Sequence, residues 1–263
     1  MSPKYSAPLA LFLNGMRVAA SEKFTLAFGV GVYCMYVLIF SAIWKHTAFT
    51  PRGGQDINFV SMVWYIASTE SVTFSGVQFR EQVRIDISSQ QISGLMGRPL
   101  PYWLLRMAQL LGRGALHFTL LTAAGLALGF WITGHLPYQI GNGALLLPLI
   151  MGMILTLVAC FVIGMLDVWG QYARPAYWIW QKALFVMGGL MLPLSLYPEW
   201  LHKAALWTPF PAMSYLPALL MLQHNAAALS DILLVQLFWL VVLLSLALLV
   251  HRAAKRHIGA VGD

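Results

Sequence analysis

Charge is what this sequence has least of. Only 10% of its 263 residues are Asp, Glu, Lys or Arg, against 59% hydrophobic, and the mean hydropathy is +0.72. That excludes one soluble core, because the apolar surface exceeds what such a core can bury and the charge is too sparse to keep it dispersed. Acid is scarcer still, 9 residues against 16 basic ones, for a net charge of +7. In a soluble chain that excess would suggest nucleic acid. Here the basic residues sit at the ends of apolar runs, where they set orientation in a membrane, so no nucleic-acid partner is expected. Cysteine is limited to Cys34 and Cys160, both inside apolar runs, which suits small core residues better than a disulfide or a metal site.

Motifs are missing too. No glycine in the chain is followed by lysine, which excludes the phosphate-cradling Gly-x-x-x-x-Gly-Lys-Ser/Thr loop and with it any recognisable ATP site in this chain. There is no His-Glu-x-x-His helix, Cys-x-x-Cys pair or Gly-x-Ser-x-Gly elbow. No catalytic, cofactor-binding or metal-ligating residue is therefore assigned. The N-terminus leads into a mixed segment rather than a short apolar core with a small-residue cleavage site, so no removable signal peptide is expected.

Long apolar sequence is abundant. Residues 24–44, 58–78, 115–133, 144–166, 176–198 and 232–250 each suit the ~30 Å hydrocarbon core at ~1.5 Å per residue. The reading is an all-α polytopic membrane protein, one domain over 1–263 with six transmembrane helices. Residues 9–23 are too short and too polar to span, yet Leu11, Leu13, Met16 and Val18 can share part of a helical face, which predicts an interfacial amphipathic helix. Residues 199–222 contain Pro209, Pro211 and Pro217. These exclude one regular span and predict two short re-entrant helices at the outer leaflet, shielded by their neighbours. Of the sixteen Lys and Arg, three (Lys45, Arg52 and Lys203) fall on one side, Lys182 falls within a span and the rest fall on the other side. Both termini are accordingly expected in the cytoplasm.

The longest polar interval is 79–101, which carries Arg80, Glu81, Arg84, Asp86 and Arg98. Between two spans such a segment lies in water or against another protein. Val83, Ile85, Ile87, Ile92, Leu95 and Met96 recur within it, predicting a short surface helix with an apolar side, closed by Gly97, Pro99 and Pro101. It reads either as a docking element or as a cytoplasmic loop that fixes topology. The helix after it is expected to start well before its apolar run, through Arg106 and Arg113.

Charges inside apolar runs are the remaining candidates, since burial in lipid is costly. Glu70 lies about halfway along 58–78, among Ser68, Thr69, Ser71 and Thr73. It reads either as facing a translocation cavity or as a structural carboxylate at a helix interface. Lys182 and Asp167 lie near span ends, within reach of the headgroups. His117 is a lone histidine of the packed kind, and the aromatic residues cluster toward the span ends as an interfacial belt.

Taken together, the interfacial helix, six spans, large inner loop, proline-broken outer segment and basic tail resemble an ABC-2-type permease, the membrane subunit of a type V ABC exporter. The branch with viologen and drug exporter permeases is the most similar. The likeness is carried by 92–102, 197–217 and the tail ending at Asp263, and covers nearly the whole chain. It implies that residues around 81–97 form a coupling helix seated in a separate nucleotide-binding ATPase subunit, which would hold the ATP and Mg. Glu81, Arg84, Ile87, Ile92, Leu95, Met96 and Arg98 are then the coupling residues, and Glu70, Ser71, Phe74 and Met191 the candidate pathway. A second permease subunit, paralogue or self, is implied, in a bacterial cytoplasmic (inner) membrane, exporting an amphipathic, cationic or lipid-like substrate. The glutamine-rich coupling segment and Glu70 depart from the family's pattern.

Two other readings stand beside it. One is a membrane-embedded lipid-modifying enzyme built on Glu70, His117 and Arg106. The other is a subunit without a pathway of its own, partnering a paralogous permease.

Overall fold

The computed structural model describes residues 3–47, 57–76, 79–97, 99–136, 146–222 and 228–262. Every regular element among them is helical. Helices α1 (Pro3–Ser21) and α2 (Lys23–Lys45) are separated only by Glu22. Helix α3 (Phe59–Ser75) starts at a capping box: the Asn58 side chain accepts the Ser61 N–H at 2.9 Å, and the Ser61 hydroxyl oxygen accepts the Asn58 N–H at 3.0 Å. Two short helices follow, α4 (Phe79–Ser88) and α5 (Gln91–Met96), divided by Gln90 at φ +57°. Helix α6 (Tyr102–Thr133) is continuous through Arg106, Arg113 and the apolar run. It stops at Gly134, whose φ of +72° suits glycine.

Helix α7 (Leu146–Met165) continues into a 3₁₀ turn, Leu166–Val168. Helix α8 (Ala173–Met187) is followed by irregular chain and by three short helices, α9 (Glu199–Leu206), α10 (Phe210–Met213) and α11 (Tyr215–Leu219). Helix α12 (Ala228–Gly262) closes the chain. Four stretches are long and apolar enough to cross a membrane: Lys23–Lys45, Tyr102–Thr133, Leu146–Val168 and Leu229–Ile258. Helices α3 and α8, where the second and fifth spans were expected, have 17 and 15 residues. At ~1.5 Å per residue they are shorter than a ~30 Å core.

Burial divides the helices. In α3 every side chain from Ser61 to Val72 is buried, although the segment is rich in Ser and Thr. The hydroxyls make this possible by donating back within the helix: Ser68 to the Trp64 carbonyl and Ser71 to the Ser68 carbonyl, each at 2.8 Å, Thr73 to Thr69 at 3.0 Å and Ser75 to Val72 at 2.6 Å. Helices α2 and α12 instead leave Phe24, Phe28, Ile39, Leu234, Phe238 and Leu249 exposed, a surface suited to lipid. Helix α1 crosses the start of α6 with the backbones touching. A Cβ on Gly15 would overlap the Gln109 carbonyl, and one on Gly112 the Phe12 carbonyl. The expected helix over 9–23 is thus longer at its N-terminal end and breaks at Glu22.

The fifth apolar stretch, 176–198, is not one helix. It stops at Gly188, and Gly189 takes φ +62°. The carbonyls released there are claimed by other elements: the Tyr65 hydroxyl donates to Gly189, the Thr69 hydroxyl to Leu190 at 3.0 Å and the Ser214 hydroxyl to Gly188 at 2.7 Å. Irregular backbone inside an apolar bundle is tolerable when its polar groups are satisfied in this way. Segment 199–222 breaks at Pro209 and at Ser214, giving three short helices where two were expected. Gln236 of α12 ties them in, its amide nitrogen donating to the Pro148 carbonyl at 2.8 Å and the Ala212 carbonyl at 2.9 Å.

Candidate functional site

The polar interval folds back onto one end of the bundle. Val83 of α4 rests on Gly164 of α7, where a Cβ would stand 2.9 Å from the Val83 Cβ. Ile92 of α5 is buried in the same apolar cluster as Val83, Tyr102 and Met165. The end of α12 belongs here too: His251 stacks on Tyr102 with ring centroids 6.3 Å apart, and His257 lies 6.1 Å from Trp169. Arg84, Arg106, Arg174 and the basic end of α12 therefore gather at the same end of the molecule.

Asp86 anchors this end. It is 1% exposed, and its carboxylate receives two N–H groups of Arg106 and the Tyr102 hydroxyl, the last at 2.7 Å. Bidentate guanidinium–carboxylate pairing is rigid as well as strong. Arg106 also donates to the Gln109 side chain. Two turns of α6 are thereby clamped to the last turn of α4. A second ion pair, Arg113 to Glu22 at 2.7 Å, ties α6 to the α1–α2 junction.

Beside the clamp lies a cleft of ≈ 320 Å³ lined by Arg84, Ile87 and Ser88 of α4, by Asp167 of the 3₁₀ turn and Gly170 of the loop after it, and by Arg174 in the first turn of α8. Asp167 holds that loop in shape by accepting the Ala173 N–H at 2.7 Å, satisfying a free donor at the start of α8. Two arginines and one carboxylate make the cleft polar and complementary to a protein surface or an anion.

The residues assigned to coupling fall into different environments. Arg84 and Ile87 line the cleft, Ile92 is buried in the core, and Leu95 and Met96 are half-buried against it. Glu81 falls in α4, but its side chain lies outside what the structure describes, and Arg98 lies outside the described residues. The apolar side of the interval is therefore spent on the protein's own core. What faces outward is Ile85, 45% exposed, with Ser88, Ser89, Gln90, Gln91 and Ser93.

The candidate pathway residues are not brought together. Ser71 lines a cavity between α2, α3, α6 and α7. Phe74 packs edge-on against Tyr33 and Tyr36, 6.3 and 5.5 Å between centroids, and lines a separate small cleft with His117. Glu70 is 4% exposed, lies within electrostatic reach of Tyr33 and Tyr65, and has no ion-pair or hydrogen-bond partner among the described residues. Met191 sits half-buried in the irregular chain after Gly189. The grouping of Glu70, His117 and Arg106 as an enzymatic site dissolves in the same way. Arg106 is bound to Asp86, the His117 Nδ1 lies 2.9 Å from the Arg113 carbonyl, and Glu70 joins neither.

Sequence reasoning missed Asp86 and Tyr102. The available signal was that Val83, Asp86 and Ile87 share one face at i, i+3 and i+4, so that Asp86 stands on the buried side of its helix. Comparison of the chain with protein-family models and with curated proteins gives no match.

Proposed function

We propose that the chain is the membrane-spanning permease subunit of an ATP-driven ABC exporter, working with a separate nucleotide-binding ATPase and a second permease subunit. The observation that carries this reading is the ordered α4–α5 pair. It is too polar to lie in lipid, it is clamped to α6 by Asp86 and seated on α7 by Val83, and it offers an outward face of Ile85 and neutral polar residues. A push on that face is delivered directly to two long helices, which is the task of a coupling element. Ile85, Arg84 and the neighbouring cleft are its contact residues, and Ile92, Leu95 and Met96 support it from behind.

In this reading the six apolar stretches cross the cytoplasmic membrane of a bacterium. The 79–97 pair, the 166–175 loop and both termini lie on the cytoplasmic side, a placement that the crowding of Lys and Arg at that end supports. The short helices of 199–222 cap the outer end, and ATP with Mg stays on the partner ATPase. Mild-detergent purification of the tagged chain from its native membrane, followed by mass spectrometry, tests the proposal. Recovery of a protein bearing a phosphate-binding loop is expected, with a second multi-pass chain or a second copy beside it. A chain that purifies alone, stable and unaccompanied, would overturn it.

A further inference from the structure

Helix α8 carries two cations on its outer surface, Arg174 in its first turn and Lys182 two turns further on. Spacings of four residues put Arg174, Trp178 and Lys182 in one stripe, and all three side chains are exposed. Ile179, 72% exposed, with Phe185 and Val186 extends the outward face as hydrocarbon. Lys182 therefore stands among side chains suited to lipid, where a cation needs a counter-charge.

The protein supplies such a charge elsewhere. Arg106 and Arg113, which precede the apolar run of α6, each have a carboxylate, Asp86 and Glu22. Arg174 and Lys182 have none among the described residues. Asp167, which shares a cleft with Arg174, is turned to the Ala173 N–H at 2.7 Å. Lys182 meets the face of Trp178, its Nζ 5.5 Å from the ring centroid. That contact folds Lys182 back toward the start of the helix and carries its charge toward the level of Trp178, which is about one turn, ~5.4 Å along the axis, from that of Arg174. A single phosphate fits between two cations so placed, and a tryptophan beside it suits the boundary between headgroups and hydrocarbon.

We infer that this stripe binds an anionic phospholipid, its phosphate held between Arg174 and Lys182 and its acyl chains lying along Ile179, Phe185 and Val186. A zwitterionic phospholipid brings its own ammonium group to the same cations and is disfavoured. The site goes beyond the proposed function and rests on it only in taking α8 as embedded in a bilayer. No ATPase is needed for the test, so failure to recover a partner and failure to bind lipid are separate results.

The test uses the full chain purified in detergent, with binding of dioleoylphosphatidylglycerol followed by native mass spectrometry. This lipid is expected to bind about five-fold or more tightly than dioleoylphosphatidylcholine. Arg174→Gln and Lys182→Gln should each weaken its binding roughly five-fold, the effect of one cation near the membrane surface, and Lys182→Arg should keep the preference. Both positions are exposed, so the variants should unfold thermally as the unaltered chain does. Lys255→Gln, which removes another exposed cation at the end of α12, should change binding by less than about two-fold. Glycerophosphoglycerol, the same headgroup without acyl chains, should compete about a hundred-fold less well than the lipid, which separates a lipid site from one for a soluble phosphate. Equal binding of the two lipids, an undiminished preference in both glutamine variants, an equal loss from Lys255→Gln, or equal competition by the chain-free headgroup would each overturn the inference.

Discussion

Two carboxylates are buried among the described residues, and they could hardly be housed more differently. Asp86 sits at the polar end, paired with Arg106 and Tyr102, and joins α4 to α6. Glu70 sits inside α3, 4% exposed, with no ion-pair or hydrogen-bond partner among the described residues. From the sequence, Glu70 drew attention because it interrupts an apolar run, and Asp86 drew none because its neighbours are polar. The structure reverses that emphasis. A charge in an apolar run is conspicuous whatever it does, whereas one on the buried side of a polar helix must have been given a partner.

The contrast can be broken most sharply at Asp86. Replacing it with Ala leaves the half-buried Arg106 without its carboxylate, a loss of up to about 3 kcal/mol, read as thermal unfolding in detergent. Replacing the pair together, Asp86→Leu with Arg106→Met, should return most of that stability; if it does not, the cluster is more than an ion pair. Next comes Gly164→Leu, which would press on Val83 and lift α4 from α7. Overpacking of this kind costs about 1–3 kcal/mol, and hydrogen exchange in 79–88 should rise well above that in α3. The smallest effect is expected from Glu70→Gln, which keeps size and hydrogen-bonding capacity and should change stability by no more than about 1 kcal/mol. Equal losses from Glu70→Gln and Asp86→Ala would erase the distinction.

Much of the fold was legible because lipid imposes a simple rule: helices that face it must be apolar over a fixed length. Residues 24–44, the described part of 144–166 and residues 232–250 each fall within or along a single long helix for that reason. The stretch 176–198 obeyed the same compositional rule and still broke, because what permits the break is elsewhere. The hydroxyls of Tyr65, Thr69 and Ser214 accommodate the carbonyls around Gly189, and no local pattern announces partners that lie 26, 121 and 124 residues away. Gly188, Gly189 and Pro193 were the only local hints. The candidate site was half legible for a related reason. The segment 79–101 was identifiable by polarity, but its apolar residues were assigned to an outside partner when the protein's own α6 and α7 had the first claim on them. Ile92 is the clearest case, and Ile85, among the described residues of this segment the large apolar side chain that does point outward, carried no distinguishing mark in the sequence.

The most direct test of the proposed coupling role is retention of the proposed ATPase partner on tagged chains carrying Ile85→Asp or Glu70→Gln, purified side by side with the unaltered chain. A charge on the outward face of α4 should remove most of the ATPase while the chain itself stays folded, and the change in α3 should leave recovery at the unaltered level. Full recovery with Ile85→Asp, or loss from Glu70→Gln alone, would contradict the assignment of this face as the docking surface.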